Sequence, residues 1–262
     1  MGFRVIIFLI FSVPSLFANE SFLLINGVTS DPVMACGPQI HERISPCSTF
    51  KITLSLMGFD AGILEDEHKP VWDYQEGYDD WNESWKGSIN PALWMNTSCL
   101  WYSKVIAETL TVEKIESYLS SFSYGNQDMS GGLDHPAWIT SSLTISPKEQ
   151  VDLIQKMISK KLPISDHAIE MTKALLFKEA LSEGWNLYGK TGWSGSYITA
   201  DGRIQEHGWF VGWIESGDQF YPFAYLIQDK KLELGQRIPR VKQLLNFTVP
   251  HVQESKFDLY HR

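Results

Sequence analysis

Apolar residues return at two intervals along this chain, and the intervals divide it into helices and strands. Residues 21–25 read as a short strand turned by Asn26-Gly27. After Ser48, the positions Ile52, Leu56 and Phe59 line one face of a predicted helix. Thr111 precedes a stretch in which Val112, Ile115 and Leu119 share a face. Ser146-Pro147-Lys148-Glu149 has the residues of a capping box with proline at the first helical position, and predicts a helix running to about Lys161. The same period predicts helices over 166–181, with Ile169, Leu176 and Ala180 on one face, and over 238–246, carrying Val241, Leu244 and Leu245. Three strands cluster late, at 186–192, 209–215 and 220–228, separated by glycine-bearing turns. Such close spacing predicts hairpins, hence an antiparallel sheet with helices packed against it.

Two stretches stand outside this pattern. Between residues 71 and 101 aromatic residues crowd the chain, including Trp72, Tyr74, Tyr78, Trp81, Trp85, Trp94 and Trp101; packing of a loop-rich lobe is the expected use. The first 18 residues combine Arg4, an apolar run from Val5 to Phe11 and the small residue Ala18. They read as a secretory signal peptide, leaving residues 19–262 as one catalytic unit. No repeat or low-complexity linker divides that unit.

Composition narrows the partners. The formal net charge is −9 and no basic run occurs, which argues against nucleic acid and anionic membranes. Cys36, Cys47 and Cys99 cannot form a closed disulfide framework, and the seven histidines show no metal-ligand spacing. Cys47 and Cys99 read as small buried hydrophobes.

The candidate chemistry begins at Ser48-Thr49-Phe50-Lys51. Residues three apart on a helix face each other, so Lys51 can act on the Ser48 hydroxyl. A serine needs such a base to become a nucleophile, and an apolar site favours the neutral amine over the ammonium. One such match carries little weight. Downstream lie Ser98-Cys99-Leu100, Tyr124-Gly125-Asn126, Trp138 within Pro136-Ala137-Trp138, and Lys190-Thr191-Gly192. S-x-x-K and K-T-G each occur once, in the order used by serine β-lactamases and penicillin-binding proteins.

With these motifs the chain resembles a class D, oxacillinase-type, β-lactamase over nearly all of residues 19–262. The resemblance implies an α+β fold: a central antiparallel sheet flanked by helices, plus an all-helical lobe with Ser48 at the junction. It implies hydrolysis of β-lactam antibiotics through an acyl-enzyme on Ser48, and hence resistance. Lys51 would add carbon dioxide or bicarbonate and serve as a carboxylated general base, with Trp138 donating to the carbamate and no metal required. Ser98 and Lys190 would relay a proton to the lactam nitrogen. Lys190, Thr191, Gly192, Trp193, Ser98 and Tyr124 would bind substrate, the small Gly192 letting it lie against the strand. The Ser48 and Trp193 backbone N–H groups would form the oxyanion hole. Tyr124 further implies inhibition by chloride.

Two departures accompany the resemblance. Leu100 stands where the family usually has valine, and neither Arg237 nor Arg240 falls cleanly on the family's carboxylate-binding arginine. The implied enzyme is periplasmic, a monomer or homodimer, and takes small-molecule β-lactams rather than nucleic acid or membrane partners. Two other families share the motifs: β-lactam sensor domains, which acylate without turnover, and D-alanyl-D-alanine peptidases.

Overall fold

In the computed structural model, which describes residues 19–249, segments from both ends of the chain meet in one sheet. The expected signal peptide, residues 1–18, lies outside the described residues. Strand β1 (Glu20–Ile25) ends where the Asn26 side chain accepts the Val28 and Thr29 N–H groups, and the chain returns as β2 (Pro32–Cys36). Helix α1 (Phe50–Asp60) follows, then a small ribbon of β3 (Trp72–Asp73) and β4 (Ser88–Ile89). Helices α2 (Pro91–Thr97), α3 (Leu100–Leu110), α4 (Val112–Phe122), α5 (Pro147–Ile158) and α6 (Asp166–Leu176) build the helical lobe. Strands β5 (Phe177–Ala180), β6 (Asn186–Trp193), β7 (Tyr197–Ile198), β8 (Ile204–Ser216) and β9 (Gln219–Asp229) complete the sheet, and α7 (Arg237–Thr248) covers its outer face. The strand order is β2-β1-β9-β8-β6-β5, with β7 beside the start of β8, and the pairings are antiparallel.

The period of two along β8 assigns its side chains to two cores. Trp209, Val211 and Trp213 pack toward the helical lobe, whereas Phe210 and Ile214 pack toward α7 with Val241, Leu244 and Leu245. Helix α5 starts as its sequence predicts, with Ser146 and Glu149 exchanging the two capping-box bonds. In the aromatic stretch Trp85, Trp94 and Trp101 are fully buried, so packing is their use.

Three expectations change. Helix α1 does not bury one face: every residue from Phe50 to Phe59 is buried, because the sheet lies on one side and the helical lobe wraps the other. Residues 166–181 do not form one helix, since α6 stops at Leu176 and Phe177–Ala180 become an edge strand paired with β6. An apolar period fits either state over so short a run, and the open edge of β6 decides it. Ser98-Cys99-Leu100 is a junction rather than a helix start: Ser98 ends α2 with φ +58, and α3 begins at Leu100.

Candidate active site

The turn that carries Ser48 is gripped by the sheet and by two segments of the helical lobe. Cys47–Thr49 form a 3-10 turn feeding α1, and Cys47 has φ +51, a conformation costing a non-glycine residue about 1–3 kcal/mol. The surroundings enforce it. The Cys47 N–H donates to the Trp138 carbonyl at 2.9 Å. The Ser45 carbonyl accepts Trp209 Nε1 at 3.0 Å and lies 2.9 Å from His207 Nε2. Thr49 Oγ1 donates to the Pro46 carbonyl at 2.7 Å and accepts Gln150 Nε2 at 2.8 Å.

Strand β6 presses on the same turn. In its register Lys190 faces Val211, Gly192 faces Trp209 and Trp193 faces Gly208. A Cβ on Gly192 would stand 2.9 Å from the Pro46 carbonyl and 3.2 Å from Thr49 Cγ2. Its smallness therefore makes room for the nucleophile turn, which corrects the expectation that it makes room for substrate. Ser48 itself is half-buried at this seam.

Lys51, in the first turn of α1, is 2% exposed. Burial pushes its amine down to about 7, countered only weakly by Cys99. About half of such amines are neutral at pH 7. Lys190 is also buried and hydrogen-bonds Ser98 Oγ, and its Nζ donates to the Thr191 carbonyl at 3.1 Å. Burial lowers its pKa well below the usual range, and the nearby cations Lys51, Lys178 and Arg237 lower it further.

The remaining expected residues are placed less uniformly. Trp138 is buried and stacks on Phe50 at 5.0 Å. Thr191 and Trp193 reach the surface beside the seam, Trp193 being 39% exposed. Tyr124 does not line the seam: it is 1% exposed, packs edge-on to Phe50 at 5.7 Å, and its hydroxyl has no partner. That corrects its assignment to substrate contact, because the loop to which it belongs folds inward. Asn126 ties that loop down by donating to the Ser142 carbonyl at 2.7 Å and accepting the Thr144 N–H at 2.9 Å.

Sequence reasoning left Arg237 undecided and overlooked Glu206 and His207. Arg237 donates from Nη1 to the Gly192 carbonyl and from Nε to the Leu234 carbonyl. Arg240 instead pairs with Glu20 at 3.0 Å. His207 lies 3.3 Å from Cys47 Sγ, and burial holds its pKa down at about 4, so both it and the thiol, pushed up to about 12, stay neutral. Cys36, Cys47 and Cys99 are all free thiols.

A buried serine–lysine pair abutting a Lys-Thr-Gly strand is the arrangement carried by known relatives. The model of the penicillin binding protein transpeptidase domain matches residues 33–246. A β-lactamase of Klebsiella pneumoniae, OXA-9, is 36% identical over 225 residues, covering 82% of this chain and 78% of the relative. OXA-1 of Escherichia coli is 40% identical over 180 residues, 66% of this chain and 62% of the relative. The crystal structure of OXA-427, a class D β-lactamase, superposes with a TM-score of 0.79 at 35% identity, over 88% of this chain and 97% of that one. This chain is a class D serine β-lactamase. As a class D enzyme it needs no metal. Against other class D enzymes its Leu100 is a local change, half-buried at the start of α3 and packed against the main core.

Proposed function

We propose that the chain hydrolyses β-lactams through an acyl-enzyme on Ser48, with an N-carboxylated Lys51 as the general base. The observation that carries this reading is the Lys51 amine, buried in the first turn of α1 one helical turn from Ser48 and pushed down to about 7. Only a neutral amine adds carbon dioxide, losing a proton to leave an anionic carbamate. The change also suits Lys190, whose charged form the Lys51 cation opposes, since a carbamate at the same place reverses the sign of that interaction.

The steps follow from the contacts. The carbamate takes the Ser48 hydroxyl proton as Oγ attacks the lactam carbonyl, and the Ser48 and Trp193 N–H groups receive the oxyanion. The lactam C–N bond breaks and its nitrogen is protonated through Ser98, which is hydrogen-bonded to Lys190. Water then attacks the ester with the carbamate as base, releasing the opened product and Ser48. Trp138, whose indole N–H can only donate, suits an anionic acceptor, and it packs on Phe50, the residue beside Lys51.

The substrate carboxylate is held by Lys190, Thr191 and Arg237. Among the described residues no carboxylate pairs with Arg237, whose guanidinium burial lowers to about 10, whereas Arg240 is already engaged by Glu20. Export to the periplasm by residues 1–18 completes the proposal; no helix of the described residues is long and apolar enough to cross a membrane.

Hydrolysis of a chromogenic cephalosporin by residues 19–262, with and without bicarbonate and beside Ser48→Ala, tests the reading. Sustained turnover that bicarbonate raises and Ser48→Ala abolishes supports it. One stoichiometric burst without further turnover makes the chain a β-lactam acceptor instead.

A further inference from the structure

Glu206 belongs to none of the motifs, yet it ties together the parts of the molecule that meet substrate. It lies on the α7 side of β8, 7% exposed. Three separate segments donate to its carboxylate: Trp193 Nε1 and the Leu232 N–H to Oε2, each at 3.1 Å, and Ser196 Oγ to Oε1 at 2.8 Å. Burial alone would push this carboxyl up; the donors outweigh it and hold the pKa below the ordinary value. A carboxylate taken out of water persists only where such donors replace the lost hydration.

Its position gives those bonds a consequence. Trp193 sits on the last rung of the β6–β8 ladder, opposite Gly208, and strand ends fray where the ladder stops. Leu232 leads, five residues on, to Arg237, and both lie over Gly208, where an added Cβ would come within 3.1 Å of each. One carboxylate thus spans the end of β6 and the segment entering α7.

We infer that Glu206 is a positioning residue for β-lactam turnover, clipping the Trp193 end of β6 to the Leu232–Arg237 segment so that oxyanion donor and carboxylate anchor move as one unit. The inference rests on the roles of Trp193 and Arg237 proposed above. Glu206→Ala deletes all three bonds; Glu206→Gln keeps size and one acceptor oxygen. Trp193→Phe removes only the indole donor and leaves the backbone N–H.

The test is steady-state kinetics, normalised to active sites by burst titration, on a penicillin and on its neutral methyl ester. For the penicillin, Glu206→Ala lowers kcat about tenfold and raises KM about tenfold, with Glu206→Gln between it and wild type. For the ester, kcat still falls but KM no longer responds, because Arg237 has no carboxylate to hold. Trp193→Phe reproduces part of the kcat loss. If Glu206 only supports the fold, the variants lose Tm and active fraction while kcat and KM per active site match wild type, and the inference is overturned. A wild type that acylates nothing would sink the hydrolase reading and this inference together; a turning-over wild type matched by its variants sinks this inference alone.

Discussion

The two ends of the Lys190–Trp193 run do opposite things with charge. At Lys190 the chain is buried against Ser98 and Lys51, and burial strips protons from both amines. Three residues on, Trp193 is half-exposed, and Arg237 beside it keeps a guanidinium facing no carboxylate. Dry surroundings make a reactive amine, whereas a half-wet rim leaves a cation free for an anionic ligand. Chemistry and recognition are thereby separated by a few ångströms of one strand.

The largest effect should come from removing the dry end's base. Lys51→Met keeps an apolar chain of similar length and should lower kcat/KM by about 10²–10⁴, with bicarbonate no longer stimulating what remains. In wild type, moving from pH 8 to 6 passes through the amine pKa of about 7, so activity should fall and added bicarbonate should recover it. Stability gives the sign independently. The folded amine has lost its proton above about 7 while the unfolded one keeps it to 10.5. The unfolded state therefore holds more protons across that window, and wild-type stability rises with pH there in carbon dioxide-free buffer. Chemical unfolding at pH 6 and 9 checks this, and an equal rise in Lys51→Met would sink the assignment.

Gly192→Ala attacks the contact between strand and nucleophile turn. The new Cβ meets backbone, the Pro46 carbonyl at 2.9 Å, so the turn must move. A displacement of this kind costs up to about a hundredfold in rate. Rapid-quench acylation should show the loss in the chemical step, with KM little changed; a change confined to KM would return Gly192 to substrate accommodation.

A smaller effect belongs to the rim. Arg237→Ala should raise KM about tenfold for carboxylate-bearing substrates and leave kcat nearly intact, as loss of one charged contact implies. Arg240→Ala should leave KM alone and cost at most about 1 kcal/mol through its pair with Glu20. Exchange of these two phenotypes would reassign the anchor.

Legibility in the sequence follows the same division. The S-x-x-K and K-T-G motifs were readable because local order carries them: one helical turn joins Ser48 to Lys51, and one strand joins Lys190 to Trp193. The capping box at Ser146 and the late hairpins were readable for the same reason. Glu206, His207 and the choice of Arg237 over Arg240 were not, because their meaning arises only when β8 crosses the nucleophile turn and the entry to α7. The end of α6 at Leu176 was likewise decided by the free edge of β6 and not by residues 177–180 themselves.

The smallest expected effect lies beneath the dry end, at Tyr124. Its hydroxyl is buried without a partner beside Thr53 Oγ1, which also has none, and burial raises its pKa well above normal. An unmet hydroxyl costs about 1–3 kcal/mol, so Tyr124→Phe should be more stable by about 1 kcal/mol, or about 2–4 °C in Tm. The likeness to chloride-sensitive class D enzymes adds a second readout: sodium chloride should inhibit wild type, and Tyr124→Phe should relieve the inhibition. Calorimetry and a chloride titration against gluconate at constant ionic strength read both. A lower Tm in Tyr124→Phe would mean that the hydroxyl has a partner in solution, and the buried layer under Ser48 would then be wetter than its packing implies.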